Sequence, residues 1–114
     1  MAAERKLPDD AVEFIKLCVR QSRIRWTYHV NMRLEGRYIP RRFIVGSTDN
    51  YEIIESYPED KYFPSYLVYS HYQERFFHVL FACDLEGNNV RVITAYCPDL
   101  DQWEADLKTR RPSV

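Results

Sequence analysis

The chain is 114 residues long, carries a net charge of −1, and is 46% hydrophobic and 15% aromatic with only three glycines. That length suits a single domain, 1–114, burying about two thirds of its unfolded surface. The composition excludes a disordered or collagen-like chain, and no apolar run reaches membrane-spanning length. Residues 1–8 and 112–114 are expected to be flexible ends.

The charge is unevenly spread. Residues 20–42 contain seven arginines (20, 23, 25, 33, 37, 41 and 42) against one acid, Glu35, whereas residues 43–106 contain twelve acids against Lys61, Arg75 and Arg91. Such polarisation fits one positive face for an anionic partner, or two regions that neutralise each other across the fold. Arginine also suits bidentate phosphate contacts better than lysine. Cys18, Cys83 and Cys97 are odd in number, form no C-x-x-C pair and have no histidine at metal-ligand spacing. They read as buried thiols in a reducing compartment. With no apolar leader at the N-terminus, the expected location is cytoplasmic.

Asp10 and Glu13 form a capping box after Pro8, and Ala11, Phe14, Ile15, Cys18 and Val19 follow at helical spacing. They predict a helix over 9–22. Residues 24–27 fit a short strand or an extended link. Thr27 is a candidate N-cap for a second helix over 28–36 that ends near Gly36. On it, His29, Arg33 and Arg37 recur every four residues and share one face. Pro40 opens a short helix through Val45, although Phe43, Ile44 and Val45 equally suit a strand.

The second half is β. Segments 51–57, 65–72, 75–84 and 90–96 are rich in β-formers, and Pro58, Pro98 and the Glu86–Asn89 turn punctuate them. Four consecutive strands with short links predict an antiparallel meander. Asp101 then starts a short C-terminal helix, with Trp103 and Leu107 on one side. The fold class is α+β: N-terminal helices, a four-stranded antiparallel sheet and a closing helix.

Alternation places Phe76, His78 and Leu80 on one face of the third strand, and Val92, Thr94 and Tyr96 on one face of the fourth. His78, Thr94 and Tyr96 would line one wall of a groove and the helical stripe the other. Such a groove suits metal-independent RNA cleavage. His29 or His78 would act as base or acid, Arg33 and Arg37 would stabilise the phosphorane, and Tyr96 would stack on a base or donate a proton. A histidine in so apolar a strand equally suits a hydrogen-bonded core position. Glu52 and Glu55 lie three apart, which alternation places on opposite faces, so no metal site is expected there. A further alternative pairs His29 and Arg33 with Glu52 or Glu55, tying the second helix to the sheet. His71 reads as a surface residue.

Several stretches resemble one family. His29-Val30, Arg33-Leu34, Arg37-Tyr38-Ile39, Ile53-Ile54-Glu55-Ser56-Tyr57-Pro58, Pro64-Ser65-Tyr66-Leu67-Val68, Arg75-Phe76-Phe77-His78-Val79 and Val92-Ile93-Thr94-Ala95-Tyr96-Cys97-Pro98-Asp99 match, in order and spacing over about 24–110, domain-of-unknown-function family 4258. Val30, Leu34 and Tyr38 depart from the family's Ala, Met and Gly. The family is distantly similar to RelE-like and BrnT-like toxin ribonucleases. The resemblance implies a toxin-like endoribonuclease with a RelE-like fold, an RNA substrate and an antitoxin-like partner. The expected catalytic residues are His29, Arg33, His78 and Tyr96, with Arg25, Arg37, Arg41 and Thr94 contacting RNA. No cofactor, metal or membrane is expected. The rival is a non-catalytic module that binds protein or RNA through the arginine-rich face.

Overall fold

A computed structural model describes residues 6–26 and 39–112. The expected helix over 28–36, with His29, Arg33 and Arg37, lies outside the described residues.

Helix α1 (Ala11–Arg20) begins where the Asp10 carboxylate accepts from the Glu13 amide at 3.2 Å, and it buries Ile15, Cys18 and Val19. It ends in a Schellman-type cap: Ser22, at φ 61°, donates to the Val19 carbonyl, and Arg23 donates to that of Cys18 at 2.7 Å. This turn aims the chain directly into β1 (Ile24–Trp26). Helix α2 (Arg41–Gly46) starts after Pro40, as the proline implied, and a 3₁₀ turn (Thr48–Asn50) follows. A Cβ on Gly46 would sit 2.9 Å from a ring carbon of Tyr72, so a side chain there would push that ring from its tilted packing on Phe43, 4.7 Å between centroids.

The strands are β2 (Glu52–Tyr57), β3 (Ser65–Tyr72), β4 (Arg75–Asp84) and β5 (Asn89–Tyr96). They form the expected meander, but among the described residues the sheet has five strands and is mixed. Its order is β1-β5-β4-β3-β2, with β1 parallel to β5 through Ile24↔Val90 and Trp26↔Val92. Three residues are too few to display a period, so β1 could not be told from a link.

Two β-bulges change which side chains share a face. Ile53 pairs with Val68 but Glu55 with Leu67, leaving Ile54 as the extra residue; in β5, Thr94 pairs with Leu80 but Val92 with Phe81, leaving Ile93 over. An extra residue reverses the alternation beyond it. Glu52 and Glu55 therefore lie on one face despite being three apart, and Val92 lies opposite Thr94 and Tyr96, contrary to simple alternation.

One face of the sheet, carrying Val68, Phe77, Val79, Phe81, Val90 and Val92, packs on Ile15, Val19, Phe43 and Ile44 of the two helices as the core. The other face is crossed by residues 99–111, where the expected C-terminal helix does not form. Those residues fold back on themselves as a strap, with Trp103 and Arg110 bridged antiparallel, Glu104 N–H donating to the Thr109 carbonyl and Arg111 N–H to that of Gln102. The Asp99 carboxylate takes the amide of Asp101, and that of Asp106 takes those of Lys108 and Thr109. Aspartate side chains thus compete for the amides a helix would use, and Leu107 stands at φ 61°. The four-residue spacing of Trp103 and Leu107 only mimicked a helical face.

Replacing Asp10 by Ala should remove about 1 kcal/mol of stability through the lost cap. Urea unfolding measures this, and an unchanged midpoint would show that the cap carries no weight.

Candidate functional site

The strap-covered face holds the residues the sequence drew together. His78 pairs across the sheet with Tyr69 on β3 and Tyr96 on β5, and Leu80 pairs with Thr94. His78, Thr94 and Tyr96 therefore do share one face. His78 is fully buried, at 0% exposure, which requires both ring nitrogens to find partners. Nε2 lies 2.6 Å from the Leu107 carbonyl and Nδ1 lies 3.2 Å from the Tyr96 hydroxyl. A carbonyl only accepts, so Nε2 carries the proton, and in the neutral ring Nδ1 accepts from Tyr96. Trp103 packs edge-on against the imidazole, 4.5 Å between centroids.

The arrangement continues outward through charge. The Arg110 guanidinium lies 4.5 Å over the Trp103 ring and grips Glu55 with two hydrogen bonds, 2.9 and 3.1 Å. Glu55 also accepts from the Tyr57 hydroxyl. One turn of the strap away, Lys108 pairs with Glu52 at 2.9 Å and stands over the Tyr69 ring. Between Arg110 and the sheet opens a cleft of about 330 Å³, lined by Tyr57, Leu67, Leu80, Thr94, Tyr96 and Arg110.

Burial pushes the His78 pKa below its ordinary value, partly opposed by the Leu107 hydrogen bond and the nearby Glu55 charge. Arg110 holds the Glu55 carboxyl below its usual range. Burial raises Tyr96 to about 12. The site thus contains a neutral imidazole bonded to a protonated phenol, beside a paired ion couple.

The other residues expected at the site fall elsewhere or outside the description. His29, Arg33 and Arg37 lie outside the described residues. Arg41 opens α2, on the helix-covered face, and stacks over Trp26 at 4.8 Å. Arg25 is exposed on β1, the edge strand beyond β5, in register with Arg91. Glu52 and Glu55, considered as partners for His29 and Arg33, are engaged by Lys108 and Arg110 of the strap. Sequence reasoning did not find the roles of Arg110, of the Leu107 carbonyl or of Tyr57. Arg110 sits in a basic tail without periodicity, and a backbone carbonyl leaves no trace in residue identity. Among the described residues, no group of three His, Cys, Asp or Glu could hold a metal ion, and no helix is long and apolar enough to cross a membrane.

The depressed His78 pKa has a definite thermodynamic sign. The unfolded chain binds this proton more readily, so the contribution of His78 is complete above its ordinary value of 6.5 and is lost as pH falls through the depressed one. Urea unfolding between about pH 7 and 5 should show the protein weakening with acid, with His78→Gln flatter in that window. Glu55 contributes lower down, losing its stabilisation as pH falls below its ordinary 4.5. Parallel profiles for the two proteins between pH 7 and 5 would refute the assignment to His78.

No curated protein and no solved structure matches the chain. The model of a family described as "Domain of unknown function (DUF4258)" matches residues 26–97, a span that contains His78, Thr94 and Tyr96 and stops short of the strap. Covering well over half of the sequence, this match makes the chain a member of the DUF4258 family.

Proposed function

We propose that the domain is a toxin-like, metal-independent endoribonuclease related to the RelE group, acting in the cytoplasm and restrained by an antitoxin-like protein. The observation that carries this reading is the Tyr96–His78 hydrogen bond at the cleft wall. RNA cleavage without a metal needs a group to take the 2′-hydroxyl proton while that oxygen attacks phosphorus and the P–O5′ bond breaks. Tyr96 accepts that proton as its own passes to Nδ1 of His78. The resulting imidazolium donates from Nε2 to the Leu107 carbonyl and is favoured by the Glu55 charge, the role an acid plays behind the histidine of a triad. In this reading Thr94 and Arg110, which line the same cleft, hold the phosphate. His29, Arg33 and Arg37 supply the leaving-group acid and further positive charge in this scheme.

The rival reading is a non-catalytic RNA- or protein-binding module. It is favoured by the complete burial of His78 and by the engagement of Arg110 with Glu55, both of which suit a structural tie. Purified protein incubated with RNA in EDTA separates the two. Cleavage that survives chelation and falls by about 10²–10⁴-fold in Tyr96→Phe supports the enzyme. Undiminished cleavage in that variant removes Tyr96 from the chemistry, and RNA retained with no product in the wild type establishes the binding module.

A further inference from the structure

On the same sheet face, beyond the β5 bulge, lies a larger pocket of about 580 Å³, within the range of about 300–1,000 Å³ typical of small-molecule sites. Its walls include Tyr62, Phe63, Ala82, Arg91 and Ile93, and it adjoins the cleft through Asp60, which lines both. The bulge turns Ile93 outward, leaving it 38% exposed, and Tyr62 is 76% exposed. Two aromatic rings and an aliphatic wall make a platform for a flat ring, and bases stack on such side chains whatever their identity.

Polar groups sit beside the platform. The Arg91 guanidinium lies 4.8 Å over the Phe63 ring, and its Nε is buried with no hydrogen-bond partner among the described residues. Asp84 forms a long ion pair with Arg91, at 3.8 Å. In the parallel β1–β5 register Arg25 stands beside Arg91. Val90 and Val92 face the core, so Arg91 projects from the opposite, pocket-bearing face, and Arg25 projects with it. Like charges side by side on neighbouring strands repel, and an anion between them reverses the sign. A platform for a planar ring next to two arginines matches a nucleotide, with its base on Tyr62 and Phe63 and its phosphate at Arg25 and Arg91.

We infer that this pocket binds one nucleotide of single-stranded RNA, adjacent to the Tyr96 cleft. The inference deepens the RNA reading of the protein and rests on it for the identity of the polymer. It is tested apart from cleavage by titrating ¹⁵N-labelled full-length protein with each of the four nucleoside 5′-monophosphates. The expected result is amide shifts at Ala82, Arg91 and Ile93, with binding weakened about tenfold by Arg91→Gln or Arg25→Gln. Tyr62→Ala, a change at an exposed ring, should weaken it as well, and Tyr96→Phe should leave it intact. Nucleosides lacking the phosphate should bind less well. Absence of shifts at those three amides, equal binding of nucleoside and nucleotide, or unchanged affinity in the Arg25, Arg91 and Tyr62 variants overturns the inference. A protein that cleaves RNA without these shifts loses the subsite alone, and one that binds nucleotides here without cleaving loses only the catalytic reading.

Discussion

An imidazole buried in the middle of a sheet cannot be left without partners, and the site follows from that constraint. Desolvating a polar group with no hydrogen bond costs roughly 1–3 kcal/mol in proteins. His78 avoids the penalty by donating to the Leu107 carbonyl and accepting from Tyr96. The first partner ties down the strap where Leu107 stands in a left-handed conformation, at φ 61°. It also fixes the tautomer, since a carbonyl only accepts, and the Nδ1 left bare draws the Tyr96 hydroxyl inward as a donor. Trp103 then closes the face over the ring, and Arg110 stacks on Trp103 while gripping Glu55.

The two faces of the sheet are held by different physics. The helix side is an apolar core of aliphatic and aromatic side chains, and its stabilisation scales with the apolar area removed from water rather than with charge. The strap side combines one buried tryptophan with ion pairs whose members are partly exposed, such as Lys108 with Glu52 and Arg110 with Glu55. Exposed pairs contribute little each, typically under about 1 kcal/mol, and weaken with ionic strength. The strap is therefore fastened mainly by Trp103 and the His78 hydrogen bond, and the charges orient it.

Strong local signals were legible in the sequence. The strands at 65–72 and 75–84, the capping of α1 by Asp10 and the opening of α2 by Pro40 all appear where β-formers, turn residues and caps placed them. The cross-strand row of His78 with Tyr96 and Leu80 with Thr94 also follows from order and alternation. What alternation could not supply was a change of phase. The bulges at Ile54 and Ile93 each insert one residue, and each moves the residues beyond it to the opposite face. The parallel pairing of β1 depends on contacts between residues more than sixty apart, and the strap depends on aspartates whose competition for backbone amides resembles helix capping in sequence. Arg110 found its place through Glu55, fifty-five residues away, for which no local pattern exists.

The bulge in β2 has a consequence for how copies of the molecule meet. β2 forms the edge of the sheet opposite β1, and a flat, regular edge is a template onto which a foreign strand can add. Here Ile54 interrupts the ladder near the middle of the strand, Pro58 follows its end, and Glu52 and Glu55 tie it to Lys108 and Arg110 of the strap. An irregular edge that ends at a proline is a poor template for its own kind. The residue that brings Glu55 round to Arg110 thus also breaks the regularity that edge-to-edge pairing needs.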